Sequence, residues 1–334
     1  MPWLILRDRQ SIPIMLRNGS DVAMTSWQVK ETHLENVLFA SFYIVIFIIA
    51  VPGNALALGV FSRQKKISPS KVFLMNLAAA DLFYVMVLPM RATYHLMDND
   101  WPFGETLCLL IGYLFYLNMY CSLFFMACIS LDRFLAVVLP VRSLGLRQKP
   151  LYTRVVSVVL WISLIVCSVP MLLSKKVLKV DNLTRTVCGQ LYLEKTSAKA
   201  LLPTAVAFLL PSIIILGSYI LILHRLWSLR QPGKKSVERK AVKMITLILL
   251  NFSVTFIPYH INRFIYIQAS GREDVDMAAI VFSNRITSSL TCLSGVLDPV
   301  LYFFLTKTYQ RSLVQFFCRR HKRQKKQNVN SASS

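Results

Sequence analysis

Seven apolar stretches constrain this chain more than anything else in it. They run near residues 37–61, 72–97, 107–131, 155–174, 200–223, 244–267 and 277–304, and the first, third, fourth and fifth contain no Asp, Glu, Lys or Arg. Each is about as long as the roughly 20 residues a helix needs to cross a bilayer. Lipid offers the backbone no hydrogen-bond partners, so such a segment must satisfy its amides internally, as a helix. One stretch alone also fits a buried helix of a soluble domain. Seven in succession, joined by short polar loops, predict an all-α membrane protein built as a seven-helix bundle. Charge content agrees: 16% of the 334 residues are charged and 55% are apolar, with mean hydropathy +0.51, against about 25% charged in an ordinary soluble domain.

The formal charge of +22 raises the question of nucleic acid. Its placement answers it. Segments 62–71, 132–154, 224–243 and 305–334 hold 24 basic residues and only two acids, Asp132 and Glu238, while the rest of the chain holds 14 basic and 14 acidic residues. Loops rich in Lys and Arg beside membrane spans face the cytosol. The pattern therefore predicts an N-terminus outside the cell. The basic residues serve topology and contact with anionic lipid and partner surfaces, not a nucleic-acid polymer.

Four regions follow: an extracellular tail (1–36), the bundle (37–304), a cytosolic amphipathic helix (305–318) and a disordered basic tail (319–334). Residues 1–36 lack a long apolar core after a basic start, so a cleavable signal peptide is not expected there. No internal repeat of the kind common in transporters is evident.

Topology also sorts the cysteines. Cys121, Cys128, Cys167 and Cys292 lie inside spans, where a thiol acts as a small apolar group. Cys108 opens the third span, and Cys188 lies in the long loop between spans four and five. Both face the oxidising side, so a bridge between them is chemically reasonable. Cys318 ends the amphipathic stretch and is a candidate for palmitoylation. The sequons at Asn18 and Asn182 face outside and suit glycosylation, whereas Asn251-Phe252-Ser253 lies within span six and is expected to stay unmodified.

Ionisable residues at membrane depth are costly and mark function. Asp81 and Asp298 sit in spans two and seven, with Asn54, Ser122 and Ser294 placed to join them. Two readings fit: a sodium ion held by Asp81, Ser122, Ser294 and Asp298, or a polar network without metal. Arg91, Arg263 and Arg285 lie toward the outer ends of spans two, six and seven, and no acid lies in the outer half of any span. With Tyr94, Tyr116, Tyr120 and Tyr259 as an aromatic floor and His260 as a hydrogen-bond donor, they suit a phosphate or carboxylate, which arginine grips with two parallel hydrogen bonds. Arginines that snorkel to lipid headgroups are the alternative.

Several motifs carry a family resemblance. Asp132-Arg133-Phe134 closes span three like the Asp-Arg-Tyr motif of rhodopsin-like (class A) G-protein-coupled receptors. Asp298-Pro299-Val300-Leu301-Tyr302 resembles their Asn-Pro-x-x-Tyr motif. Gly53-Asn54, Asp81, Trp161, Pro211 and Phe256-Ile257-Pro258-Tyr259 fall on their signature positions, and Trp101-Pro102-Phe103-Gly104 on their first outer loop. Phe256 stands where a Trp is usual, a substitution found in the nucleotide and lipid branch. Leu114 to Tyr120, Tyr259-His260 and Arg263 are similar to the nucleotide and cysteinyl-leukotriene receptor group. One position departs. Many nucleotide receptors carry a basic residue ten positions before the Asp of Asp-Pro-x-x-Tyr; here it is Ser288, with Arg285 one turn outward.

The resemblance implies an extracellular anionic ligand, a nucleotide or leukotriene-like lipid, and a heterotrimeric G protein, inhibitory or phospholipase-coupled. It implies coupling roles for Asp132, Arg133, Tyr219 and Tyr302. Pro258 removes a backbone hydrogen bond and allows span six to kink. A constitutively active or orphan receptor is the rival within the fold. A transporter or channel would more often line the whole crossing with polar groups. An enzyme is not expected: the chain shows no His-Glu-x-x-His, Gly-x-Ser-x-Gly or phosphate-loop motif.

Overall fold

The computed structural model describes residues 11–15, 25–29, 32–63, 68–147, 150–172, 177–179, 186–189, 191–192, 198–228, 235–269, 277–307 and 309–315. Among the described residues, seven helices are long and apolar enough to cross a membrane: His33–Arg63, Pro69–Leu96, Gly104–Val138, Leu151–Val169, Leu201–Ser228, Ile245–Ala269 and Ala278–Phe304. They are called spans one to seven. The end carrying Cys108 is called outer and the end carrying Arg133 inner, after the orientation the charge pattern predicts.

Span three is the centre of the bundle and packs against spans two, four and five. Span one packs on spans two and seven. The outward faces of spans four and five stay apolar: Val158, Ile162 and Val166 on one, Leu209, Ile213 and Ile220 on the other, are all exposed. In water such a surface is a liability. Against lipid tails it costs nothing, which is why the sequence tolerates it.

Three spans break, each beside the polar interior. Span two divides into Pro69–Val85 and Leu88–Leu96. Pro89 lacks the N–H that would reach Val85, and the chain passes the gap with tighter bonds such as Val87 N to Tyr84 O, 3.0 Å. Span six divides at Phe256 into Lys235–Thr255 and Ile257–Ala269, two residues before Pro258. Span seven divides into Met277–Thr291 and Ser294–Leu305, and there Cys292 N and Leu293 N bond three residues back, to Ser289 O and Leu290 O, both at 3.0 Å. Gly53 lets span one approach this last helix: a Cβ on it would lie 2.8 Å from Cγ of Pro299.

A short antiparallel hairpin, Val177–Lys179 with Thr186–Cys188, caps the outer end. Three ties hold it. Cys188 is disulfide-bonded to Cys108 at the start of span three, with Cα atoms 5.6 Å apart. Trp101 N donates to Thr186 O, and Thr186 N donates to Asp100 Oδ1, each at 2.8 Å. The N-terminal region contains a second hairpin, Ser11–Met15 with Thr25–Val29. After span seven, residues 309–315 are helical, and Tyr309 Oη donates to Gly53 O at 3.2 Å.

Candidate functional site

Polar side chains collect at three levels. At the outer level all three expected arginines are buried: Arg91 is 0%, Arg285 2% and Arg263 6% exposed. None of them snorkels. Arg91 sits in a cage of rings, its guanidinium carbon 4.9 Å from the centroid of Phe115, 5.1 Å from Tyr192, and 5.7 Å from both Tyr43 and Tyr84. Its Nη2 donates to Leu191 O, while Nε and Nη1 have no partner. No acid pairs with it among the described residues. Arg285 faces the same Tyr192 ring at 5.5 Å, and Arg263 lies 5.4 Å from Tyr266.

Leu191 and Tyr192 belong to the loop after the capping hairpin, and both are fully buried. The disulfide three residues earlier delivers them into the bundle. A relay of hydrogen bonds holds Tyr192 there: its hydroxyl meets His95 Nε2 at 2.5 Å and Tyr43 Oη at 3.1 Å, and Asn284 Nδ2 donates to its carbonyl at 2.8 Å. Tyr43 continues to Ser289 Oγ, 2.6 Å. Sequence reasoning missed this loop segment and its holders. Only the proximity of Cys188 signalled that residues just after it are carried to the bundle mouth.

Tyr116 and Tyr120 pack at 4.5 Å, and Tyr259 sits edge-on to Phe115 at 5.8 Å. Tyr94 instead packs in the outer-loop corner, on Trp101 at 6.2 Å and His95 at 5.4 Å. His260 stacks on Phe208 at 4.1 Å. Its Nδ1 donates to Phe256 O at 2.8 Å, because a carbonyl can only accept, and its buried Nε2 has no partner. In the neutral ring Nε2 is a lone pair. The expected donor thus offers an acceptor.

At the middle level Asp81 Oδ1 accepts from Asn118 Nδ2 at 3.0 Å, and Asp298 Oδ1 accepts from Asn251 Nδ2 at 2.7 Å. The two carboxyls lie close enough to interact with each other. Asp81 Oδ2, Asp298 Oδ2, Ser122 Oγ and Asn54 Oδ1 are buried without a donor. Facing acceptors of this kind need a shared proton or a cation between them. Oxygen-only ligands fit a hard cation such as sodium. Ser294 donates to Thr291 O at 2.9 Å and keeps lone pairs to offer. Asn54 Nδ2 is spent on Ala50 O and Gly295 O, at 3.0 and 2.8 Å, so it ties span one to span seven.

At the inner level Arg133 Nη2 donates to Asp132 Oδ2 at 2.7 Å and also to Ser70 Oγ, which itself donates to Asp132. Tyr219 lines a gap of about 10 Å³ beside Arg133, together with Ser218, Ile248 and Leu249. Tyr302 is buried edge-on to Phe61 and Tyr309, at 5.8 and 6.0 Å, with no hydrogen bond from its hydroxyl. Asn18, Asn182 and Cys318 lie outside the described residues.

Comparison with known proteins gives a consistent result. The model of the seven-transmembrane receptors of the rhodopsin family matches residues 53–302. The uracil nucleotide/cysteinyl leukotriene receptor of Homo sapiens is 47% identical over 295 residues, covering 86% of this chain and 79% of that protein. Its counterpart of the same name in Mus musculus is 46% identical over 309 residues, covering 91% and 89%. P2Y purinoceptor 1 of Homo sapiens is 32% identical over 302 residues, covering 87% and 80%.

Proposed function

Because the chain belongs to the rhodopsin family of seven-transmembrane receptors, we propose that this plasma-membrane G-protein-coupled receptor takes an extracellular anionic ligand, a nucleotide or a cysteinyl-leukotriene-like lipid, at its outer mouth. The observation that carries this reading is Arg91. A buried guanidinium with two unpartnered nitrogens and no paired acid is costly. A phosphate or carboxylate that displaces Leu191 O, or reaches the free Nε and Nη1, relieves that cost. Arg263 and Arg285 add charge of the same sign, and His260 Nε2 favours a ligand with an O–H or N–H at that depth. The similar human and mouse uracil nucleotide/cysteinyl leukotriene receptors are named for anionic ligands of this kind, which supports the reading.

The N-terminus lies outside in this reading, with Asn18 and Asn182 open to glycosylation and Cys318 open to palmitoylation on the inner side. Asp81 and Asp298, with Ser122 and Ser294, hold sodium between them in the resting receptor. Ligand binding shifts the population toward the state it binds better. That state frees Arg133 from Asp132 and Ser70 toward Tyr219 and the G protein. The test is a panel of uracil and adenine nucleotides and cysteinyl leukotrienes on cells expressing the receptor. At least one should act at wild type and lose potency in Arg91→Ala. Equal potency in the Arg91, Arg263 and Arg285 alanine variants refutes the anion site.

A further inference from the structure

A partner that reaches Arg133 from the inner side must enter between the inner helix ends, and the gap there is about 10 Å³. Something holds span six in. Arg133 does not: its bonds run to Ser70 and Asp132, on spans two and three. Span six stacks Phe252 on Phe208 of span five at 6.0 Å, but among the described residues the polar and cation–π contacts of its inner half run to span seven. Asn251 Nδ2 donates to Asp298 Oδ1 at 2.7 Å, a charge-assisted bond when Asp298 is ionised. Thr255 packs beside that amide: its Oγ1 donates to the backbone O of Asn251 at 2.6 Å and lies 3.3 Å from Asn251 Oδ1. Lower down, Lys243 Nζ stands 3.9 Å from the centroid of the Phe304 ring.

Both contacts lie on the inner side of the break at Phe256. Asn251 is just over one turn below it. Lys243 is thirteen residues below, so at about 1.5 Å per residue it sits about 20 Å down an arm that continues to Lys235. A weak contact there resists rotation at the break more effectively than the same contact near the hinge. The hinge itself has lost the hydrogen bond that Pro258 cannot make. The inner half of span six is therefore a stiff arm on a soft joint, clasped at two points to one neighbour.

We propose that Asn251 and Lys243 are positioning residues that clasp the inner half of span six to span seven, through Asp298 and Phe304, and that release of this clasp is a required step in G-protein activation. Asn251 matches a glycosylation pattern, but its depth in the bundle gives it this other task. Asp298 belongs to the carboxylate pair as well, so the state of that pair reaches span six through one amide.

The test is agonist-free nucleotide exchange on the G protein, normalised to surface receptor, with the full-length chain in membranes. It needs no ligand, so it fails or succeeds apart from the anion-site reading. Lys243→Met should raise basal exchange about two- to fivefold, the range of an exposed cation–π contact. Lys243→Arg should stay at wild type, since guanidinium also binds a ring face. Phe304→Leu should match Lys243→Met, and Phe304→Tyr should match wild type. The double variant Lys243→Met/Phe304→Leu should rise no further than either single one. Asn251→Leu should give the largest rise, about tenfold or more, as befits a bond to a charged acceptor. Lys243 and Phe304 are exposed, so their variants keep the test open should Asn251→Leu fail to fold. Basal exchange unchanged in Lys243→Met and Phe304→Leu overturns the proposal. So does a rise in Lys243→Arg equal to that in Lys243→Met, or additive effects in the double variant.

Discussion

Arg91 and Arg133 are both drawn into the bundle, at opposite ends, and their surroundings differ in kind. Arg133 has a carboxylate at 2.7 Å and a serine that bridges the two. Arg91 has four aromatic rings, one loop carbonyl and two idle nitrogens. A cation that its own chain neutralises is a closed latch. A cation that its own chain only cushions is a receptor for charge from elsewhere. Cation–π contacts are worth about 0.5–2 kcal/mol each, but they supply no hydrogen-bond acceptor to the two idle nitrogens. The two ends of the molecule thus divide the work: one waits for an anion, and the other releases a cation.

The largest effect expected from this contrast is at the inner end. Arg133→Ala should bring agonist-driven nucleotide exchange down to background while ligand binding stays measurable. Normal exchange would show that Arg133 is not a coupling residue and would erase the contrast. Next is the outer end. Truncating one partner of a buried charge pair costs roughly 2–5 kcal/mol, about 30-fold or more in affinity. Arg91→Ala and Arg263→Ala should shift the dose-response of an anionic agonist by that much, and Arg263→Lys should recover only part, since an ammonium lacks the two-pronged geometry. Shifts below about threefold in both variants would make the outer arginines structural.

The sequence made the spans, the charge asymmetry, the disulfide and the Asp132–Arg133 pair legible because each follows from one strong constraint. A bilayer admits only helices, and two outer cysteines face one compartment. Adjacent residues in a chain need no fold to meet. What stayed hidden depends on tertiary geometry. Tyr192 is a loop residue with no local pattern around it, yet its ring meets both Arg91 and Arg285. Tyr94 is aromatic and at the right depth, but the outer-loop corner takes it. The choice of acceptor or donor at His260 turns on one carbonyl, that of Phe256. Asn118 and Asn251 complete the carboxylate pair, and nothing in their local sequence separates them from other polar residues of a span.

The disulfide should give a smaller, indirect effect on the outer end. It joins residues 80 apart, and removing a native disulfide costs about 2–5 kcal/mol. Its more specific task is to deliver Leu191 and Tyr192 to Arg91. Cys108→Ser or Cys188→Ser should therefore lower surface expression severalfold and agonist potency up to about tenfold among the receptors that arrive. Wild-type potency with reduced expression would mean that the loop finds Arg91 without its tether. Free thiols at both positions by mass mapping would remove the bridge itself.

The smallest effect belongs to the charge on the latch. Asp132→Asn keeps the shape and an oxygen that Ser70 can still bond, but removes the negative charge facing Arg133. Asp132 is buried, whereas Arg133 is 29% exposed on its side chain, so water screens part of the attraction. A contribution of about 1 kcal/mol is reasonable for a pair between a surface and an interior ion pair. That converts to about fivefold in the ratio of open to closed receptor. Since only a small share of the resting population is open, basal nucleotide exchange should rise by nearly the same factor, and maximal agonist response should change little. Arg133→Ala breaks the same contact but also removes the group that engages the G protein, so it lowers both. The opposite signs of the two variants separate a latch from a mere structural pair, which would lower exchange in both. An Asp132→Asn receptor with basal exchange at or below wild type would show that Arg133 is held by Ser70 and packing alone, and the inner arginine would then differ less from Arg91 than its carboxylate partner implies.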